Sequence, residues 1–343
     1  MTQTTRDRAE RAPGRRRPVA VDHVTPSGPA SRTTIVVPTR DTRELTHRCV
    51  AAIRRASGDA RIVVVDDGSV DDTAESLRRR GEGLEILENR RSRGFSAAAN
   101  QGLARAHGDP ILLLNSDTEI GSDAIRILEE ALAADSSLGI VGPELEYADK
   151  HAQWSGGAAP TLPWLLALAS GLAVLVSRVP GYRLLRPLRS RRRREVDWVT
   201  GAAMAFRREV WEEVGPFDER FRLYAQDLDF CLRARAAGWR VEIVPEFRVV
   251  HHHGATVGRR PGAAGRQNPE LLWTDLLLWA RKHRGDSWAR KAARALRWGG
   301  RLRVFGRTLC TPWLLSRSRG GWRRDTLAYR RALQGLDAFA SEL

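Results

Sequence analysis

The sequence is poor in cysteine, and its acids are outnumbered by its bases. Its three cysteines, Cys49, Cys231 and Cys310, are far apart, odd in number and form no CxxC pair. That excludes a disulfide framework and a cysteine zinc site, and it fits a reducing compartment. Asp and Glu total 41 against 57 Lys and Arg, a formal charge of +16. Such an excess points to an anionic partner: nucleic acid, an acidic membrane face or phosphorylated substrates. The first 32 residues carry Arg clusters with no apolar stretch behind them, so neither a secretory nor a twin-arginine signal is expected. Their Pro, Arg, Thr and Ser content predicts a disordered basic tail over 1–32. The apolar stretch Leu162 to Val176 falls short of the ~20 residues a bilayer span needs. No GxGxxG or GxxxxGK[ST] motif follows a strand, which disfavours a dinucleotide site and a P-loop. No repeat of fixed period is visible.

From residue 33 onward, strands alternate with helices. "TTIVVP", "ARIVVVDDGS", "LEIL", "PILLLN" and "LGIVG" read as strands. Residues 42–56, "DDTAESLRRR", "GFSAAANQGLARAHG" and "SDAIRILEEALAA" read as helices between them. The alternation predicts a mostly parallel, doubly wound sheet covered on both faces. Ligands of such sheets bind beyond the carboxyl ends of the strands. Three polar strand tips gather there: Pro38-Thr39-Arg40, Asp66-Asp67-Gly68-Ser69 and Asn115-Ser116-Asp117. By itself, "ILLLNSDTE" is a strand running into a polar turn. Its convergence with the other tips favours a carboxylate held for a metal ion or ligand.

Further on, "VDWVTGAAMAFRREV" returns to strand and helix, and "AQDLDFCLRARAAGW" is a helix opening on acids. "RVEIVP" is another strand, and "FRVVHHHGAT" is a strand ending in three histidines. With no Cys or carboxylate cluster nearby, these histidines do not read as a zinc site. His251 follows the strand directly and is expected to point inward, with His252 as the alternative. Residues 157–194 interrupt the pattern: the apolar stretch is followed by Arg178, Arg183, Arg186, Arg189 and Arg191 to Arg194. This reads either as a buried helical hairpin with a basic loop or as an interfacial element that pairs with anionic headgroups. In the helical C-terminal part, Arg290, Arg294, Arg297 and Arg301 share one stripe near Trp288 and Trp298. Packing onto the preceding domain and attachment to a membrane surface both fit that pattern.

Taken together, "VVPTRD", "VVVDDGS", "NRRSRGFSAAANQG", "LLLNSDTEI", "VDWVTGAAMAFRREVWEEVGPFDERF", "YAQDLDFCLRARAAGW" and "VVHHHGAT" resemble the GT-A-fold family-2 glycosyltransferases. The branch resembled is that of bacterial rhamnosyltransferases building on polyprenyl-linked glycans. The resemblance implies a GT-A catalytic domain over 33–256, with 157–194 as an apolar and basic insert and 257–343 as an Arg/Trp-rich membrane-associating region. It implies inverting, divalent-cation-dependent transfer (Mn2+ or Mg2+) from a dTDP- or UDP-sugar, by a protein on the cytoplasmic face of the membrane. Pro38 and Asp67 match base-holding positions, with Asp66, Thr39 and Arg40 beside them. Gly94 and Asn100 match the donor-side loop and helix. Asp117 matches the second acid of the metal-binding DxD motif, and His251 the histidine that approaches metal or diphosphate. Asp227 matches the catalytic base, with Trp198, Gly201, Ala202 and Gln226 on the acceptor side. Two positions depart: Asn115 stands at the first DxD acid, and Gln226 where an acid usually precedes the base. A sugar nucleotidyltransferase, a nucleic-acid-binding protein and a scaffolding homologue are the rival readings. The basic excess lies outside the sheet motifs, which argues against nucleic acid.

Overall fold

The computed structural model describes residues 33–81, 83–172, 192–252, 268–310 and 316–341. β1 (Thr34–Thr39), α1 (Arg43–Ala56), β2 (Arg61–Asp66), α2 (Thr73–Arg80), β3 (Glu85–Glu88), α3 (Phe95–Leu103) and β4 (Ile111–Leu114) follow the predicted alternation. β5 (Thr118–Ile120), α4 (Ala124–Ala134), β6 (Leu138–Glu146), β7 (Gly156–Gly157) and α5 (Leu162–Ser170) come next. Then come β8 (Arg194–Glu195), β9 (Trp198–Val199), β10 (Ala203–Phe206), α6 (Arg208–Val214), α7 (Gln226–Ala236) and β11 (Arg240–His251). α8 (Pro269–Cys310), bent at Gly285, and α9 (Ser316–Ser341) end the described chain.

The main sheet runs β3-β2-β1-β4-β10-β6-β11-β5, with β8 beside the start of β11. β3, β2, β1 and β4 are parallel, as are β6 and β11. β10 enters antiparallel between β4 and β6, and β5 closes the far edge antiparallel to β11. The ends of β1, β2, β4, β6 and β11 therefore share one edge with the beginning of β10. The two predicted strands "RVEIVP" and "FRVV" are one strand. Its pairing with β6 shifts between Val244 and Arg248. That bulge takes Pro245, which has no N–H to offer, out of the ladder.

Helices cover both faces, which is why the central strands are apolar throughout. Ile35, Val37, Leu112 and Leu114 pack with Ile53 and Leu128 on one face. Val36, Val63, Leu113 and Phe206 pack with Leu103 and Phe230 on the other. A third core unites α5, α7, α8 and α9 through Leu165, Ala169, Phe221, Leu228, Trp273, Leu277, Trp279, Leu296 and Leu336.

That third core shows how the apolar stretch and the C-terminal helices pack. On α5, Leu165 and Ala169 are buried in this core, while Leu166 stays exposed. A side chain at Gly299 would collide with Ala169 and the Leu166 carbonyl, so glycine permits this close helix crossing. The C-terminal helices pack onto the preceding domain, one of the two arrangements expected, and residues 31–343 form one compact unit. Trp273 and Trp279 are core residues, and Trp288 is half-buried with its ring edge-on to Trp279 at 5.6 Å. The tail 1–32 and residues 173–191, with most of the expected basic loop, lie outside the described residues. Among the described residues, no helix is long and apolar enough to cross a membrane.

Candidate active site

The carboxyl edge of the sheet gathers the polar strand tips into one place. Asp66 ends β2 and turns back into its own loop, accepting from the N–H groups of Ser69 at 2.8 Å and Ala74 at 3.1 Å. Asp67 is buried and accepts four hydrogen bonds, from Asn89 Nδ2, Ser92 Oγ and the N–H groups of Arg93 and Gly94, at 2.7 to 3.0 Å. Four donors fill the in-plane lone pairs of a carboxylate. Asp67 therefore holds the 89–94 segment, and the expected direct contact to a base would have to displace one of these donors. Gly94 sits at φ 92, a conformation that suits glycine, as it opens α3. Pro38 is buried in β1, and Arg40 is half-exposed beside Asp41. Thr39 shares its hydroxyl with Thr42 and Thr46, and Thr42 continues the chain of hydroxyls to Ser116 at 2.9 Å.

Asn100, expected on the donor side, is engaged within the protein. Its amide clasps Phe217 at both N–H and C=O (2.9 Å each) and reaches Glu219 at 3.1 Å. With both halves of the amide engaged, it pins the 217–219 segment to α3.

Asp117 and His251 meet as expected. β5 pairs with the end of β11, setting Thr118 opposite His251. Both side chains are buried, and Asp117 Oδ1 lies 3.3 Å from His251 Nε2. His252 turns the other way, onto Glu119 at 2.8 Å. The tautomer of His251 is set by Gln153, which the sequence reading missed. The Gln153 amide nitrogen donates to the carbonyls of Glu146 and His251, so its Oε1 accepts from His251 Nδ1–H at 2.9 Å. Nε2 faces Asp117, and in the neutral ring it directs its lone pair there. Two acceptors this close repel unless a proton or a cation lies between them.

Asn115 adds a buried Oδ1 with no hydrogen-bond partner. One carboxylate, one imidazole and one amide carbonyl suit a divalent cation, and the nitrogen favours Mn2+ over Mg2+. No cluster of three or more His, Cys, Asp or Glu surrounds one point among the described residues. An ion here would draw further oxygens from a bound diphosphate.

The other half of the site is α7. Asp227 Oδ2 accepts from Gly201 N–H and Oδ1 from Leu228 N–H, both at 2.8 Å. Burial pushes its carboxyl above the ordinary value, and the two backbone donors offset this only in part. Ala225, just before the helix, takes the left-handed φ of 63, a strain common at functional turns. Gln226 is buried with its Oε1 lacking a partner. The next residue along from Gly201, Ala202, accepts from Asn115 N–H at 2.9 Å. One dipeptide therefore ties the candidate base to the strand tip of the candidate metal site. Trp198 lies edge-on to Trp154 at 5.0 Å, and Trp154 lies 5.5 Å from Trp164, forming an indole cluster near Gly201.

The C-terminal helix α8 also reaches this site, which sequence reasoning did not foresee. Buried Asp275 accepts from the N–H groups of Arg222, Leu223 and Tyr224, the segment that leads into α7. Buried Asp229 binds Lys282 and His283 at 2.7 Å each, and Arg233 at 2.9 Å. Burial raises the Asp229 carboxyl, but these donors and charges more than offset it and hold it below its usual value. Only a helix register shared with distant loops creates these contacts, and no local motif signals them.

A family model described as "Glycosyltransferase like family 2" matches residues 29–301. The N-acetylglucosaminyl-diphospho-decaprenol L-rhamnosyltransferase of Mycobacterium tuberculosis is 28% identical over 218 residues, 59% of this chain and 69% of that one. An uncharacterised Sinorhizobium fredii protein is 30% identical over 231 residues, 65% of this chain but only 25% of that protein's length. The mannosyltransferase PcManGT from Pyrobaculum calidifontis, solved with GDP-Man and Mn2+, is 17% identical with a TM-score of 0.54, covering 90% of this chain and 86% of that one. That structural likeness speaks for the fold alone. The sheet order, the strand-tip acids and a family match over most of the chain agree: this chain belongs to glycosyltransferase family 2, on the GT-A fold.

Proposed function

We propose that this glycosyltransferase moves a sugar, with inversion at C1, from a dTDP- or UDP-sugar to a lipid-linked glycan of the cell envelope. The observation that carries the reading is the Gly201–Ala202 bridge, which couples Asp227 to the Asn115–Asp117 strand tip. A divalent cation held by Asp117 and His251, with Asn115 beside them, would neutralise charge on the departing diphosphate. The remaining work falls to the chain's own groups. Asp227 takes the proton of the acceptor hydroxyl, and its raised carboxyl suits a base working nearer neutral pH. The acceptor oxygen then bonds C1 on the face away from the diphosphate. A single base with no candidate nucleophile beside it makes inversion the expected outcome. The preference for uracil or thymine rests on exchange at Asp67, where an imide N–H takes the place of the Ser92 hydroxyl.

Rhamnose and a polyprenyl-diphosphate acceptor are supported by the name of the Mycobacterium tuberculosis relative. Such an acceptor lives in the bilayer, so we place the protein at the inner face of the cell membrane as a peripheral protein. The test is donor hydrolysis across a panel of nucleotide sugars, with Mn2+ and with EDTA. dTDP- or UDP-sugars should be consumed, CDP-sugars spared, and Asp117→Ala should be inactive. Full activity in EDTA, or in the alanine variant, would sink the metal assignment.

A further inference from the structure

The second half of α8 leaves one face uncovered. Trp298 is 63% exposed, Leu302 54%, Phe305 64% and Leu309 57%. Their spacing of four, three and four residues puts all four on one stripe of the helix. The opposite face, with Ala292, Leu296, Gly299 and Gly300, is buried against α5 and the third core. The stripe is therefore not a mispacked core face.

Along this helix the charge has a single sign. From Ser287 to Cys310 the chain carries seven cations and no acid. Three of the seven turn toward α9: Arg297 pairs with Asp337, Arg307 with Asp325, and Arg303 lies over Tyr329. The other four, Arg290, Lys291, Arg294 and Arg301, are exposed and share the outer face with the apolar stripe. Leu166 and Leu172, 39% and 48% exposed, belong to the segment that packs beside this helix.

An exposed Trp, Phe and two Leu, flanked along their helix only by cations, fit an anionic surface with an apolar interior. A protein partner with acidic residues would answer the charge but not the row of large apolar groups. We infer that this outer face of α8 is the surface by which the enzyme sits on anionic lipid. The inference rests on the reading of a lipid-linked acceptor. The placement suits that role. α5 starts at the Trp154–Trp164–Trp198 cluster and runs to Gly299, and nine helical residues span only about 13 Å. The proposed surface and the indole cluster are thus tied to one short helix.

The experiment uses the full chain and sedimentation with vesicles of phosphatidylcholine, with or without phosphatidylglycerol. Binding should require phosphatidylglycerol and weaken as salt rises. Replacing Phe305 and Leu309 by Ser should weaken it at least about tenfold, since each removes a large side chain from the apolar phase. Replacing Arg290, Arg294 and Arg301 by Gln should weaken it by about fivefold per residue. Leu327→Ser, at an exposed leucine of α9, should change nothing. All these positions are on the surface, and retained nucleotide binding confirms folding. A direct readout is native Cys310, exposed next to Leu309, while Cys49 and Cys231 are buried. An environment-sensitive dye on Cys310 should shift to the blue on anionic vesicles.

Absence of sedimentation, or sedimentation untouched by the Phe305 and Leu309 changes, overturns the proposal. So does a concentration-dependent dimer in vesicle-free solution that the same changes disperse, since a second copy then covers the face. Vesicle binding needs no sugar chemistry. Binding without transfer to a lipid-linked acceptor would fault the acceptor reading and leave the surface standing.

Discussion

Asp275→Ala tests whether the C-terminal helices are part of the catalytic apparatus. The carboxylate is 1% exposed and is the shared acceptor for three N–H groups, at 3.3 Å from Arg222, 3.0 Å from Leu223 and 2.8 Å from Tyr224. Arg222 is exposed, so water can replace its long bond. Leu223 and Tyr224 are partly buried, and each N–H left unsatisfied costs about 1–3 kcal/mol. Burial raises the Asp275 carboxyl, so removing it also relieves a desolvation cost. The net loss should be about 2–4 kcal/mol, a fall in Tm of roughly 4–10 °C by the scaling of similar domains. Turnover should fall further than stability explains, because residues 222–225 set the start of α7 and hence Asp227. Asp275→Asn should do less harm: one amide oxygen can keep the Leu223 and Tyr224 bonds and lose only the longest contact. Calorimetry gives Tm, and initial rates with nucleotide titration separate turnover from donor binding. An alanine variant with wild-type Tm and wild-type turnover would refute the reasoning.

Asp227→Asn should cut turnover by about 10²- to 10⁴-fold, the usual worth of a general base, and spare nucleotide affinity. In the wild type, the acid limb of the rate profile should lie above the ordinary carboxyl value of 3.8, because burial raises the Asp227 pKa; a limb at or below that value would contradict the assignment. Gln153→Ala frees the His251 tautomer and should weaken Mn2+ binding in the presence of a nucleoside diphosphate by about 10- to 100-fold, as loss of an outer-shell partner does. Calorimetric Mn2+ affinity equal to wild type would remove Gln153 from the site. Asp229 is held below its ordinary value of 3.8, so its contribution is fully present above that pH and is lost as pH falls through the lower folded value. Asp229→Asn should therefore lower Tm at pH 7 and flatten its decline in acid, and a parallel decline in both proteins would count against the link.

Much of the fold was legible because the buried strands announce themselves. "TTIVVP", "IVVVDD" and "ILLLN" are apolar on both faces and end in polar tips, which only a covered parallel sheet requires. Hence Asp117, Asp67 and Thr39 could be set on one edge before any coordinates. The inward turn of His251 followed from its place directly after a strand. Side-chain use was not legible, because it depends on what approaches from elsewhere in the chain. Asp67 looked like a ligand and is saturated by residues 89–94; Asn100 looked like a donor contact and clasps Phe217. Both contacts share a cause: a polar side chain near a site is as available to a neighbouring loop as to a substrate.

The C-terminal half shows the limit most clearly. Sequence determined that 269–310 is helical, basic and rich in Trp, because helical spacing and composition are local. It could not sort the tryptophans. Trp273 and Trp279 went to the core and Trp298 to the surface, because the kink at Gly285 and the contact of Gly299 with α5 fix which stripe turns inward. That choice belongs to tertiary packing, since burial of one helical face is decided by the partner it meets and not by the residues it carries.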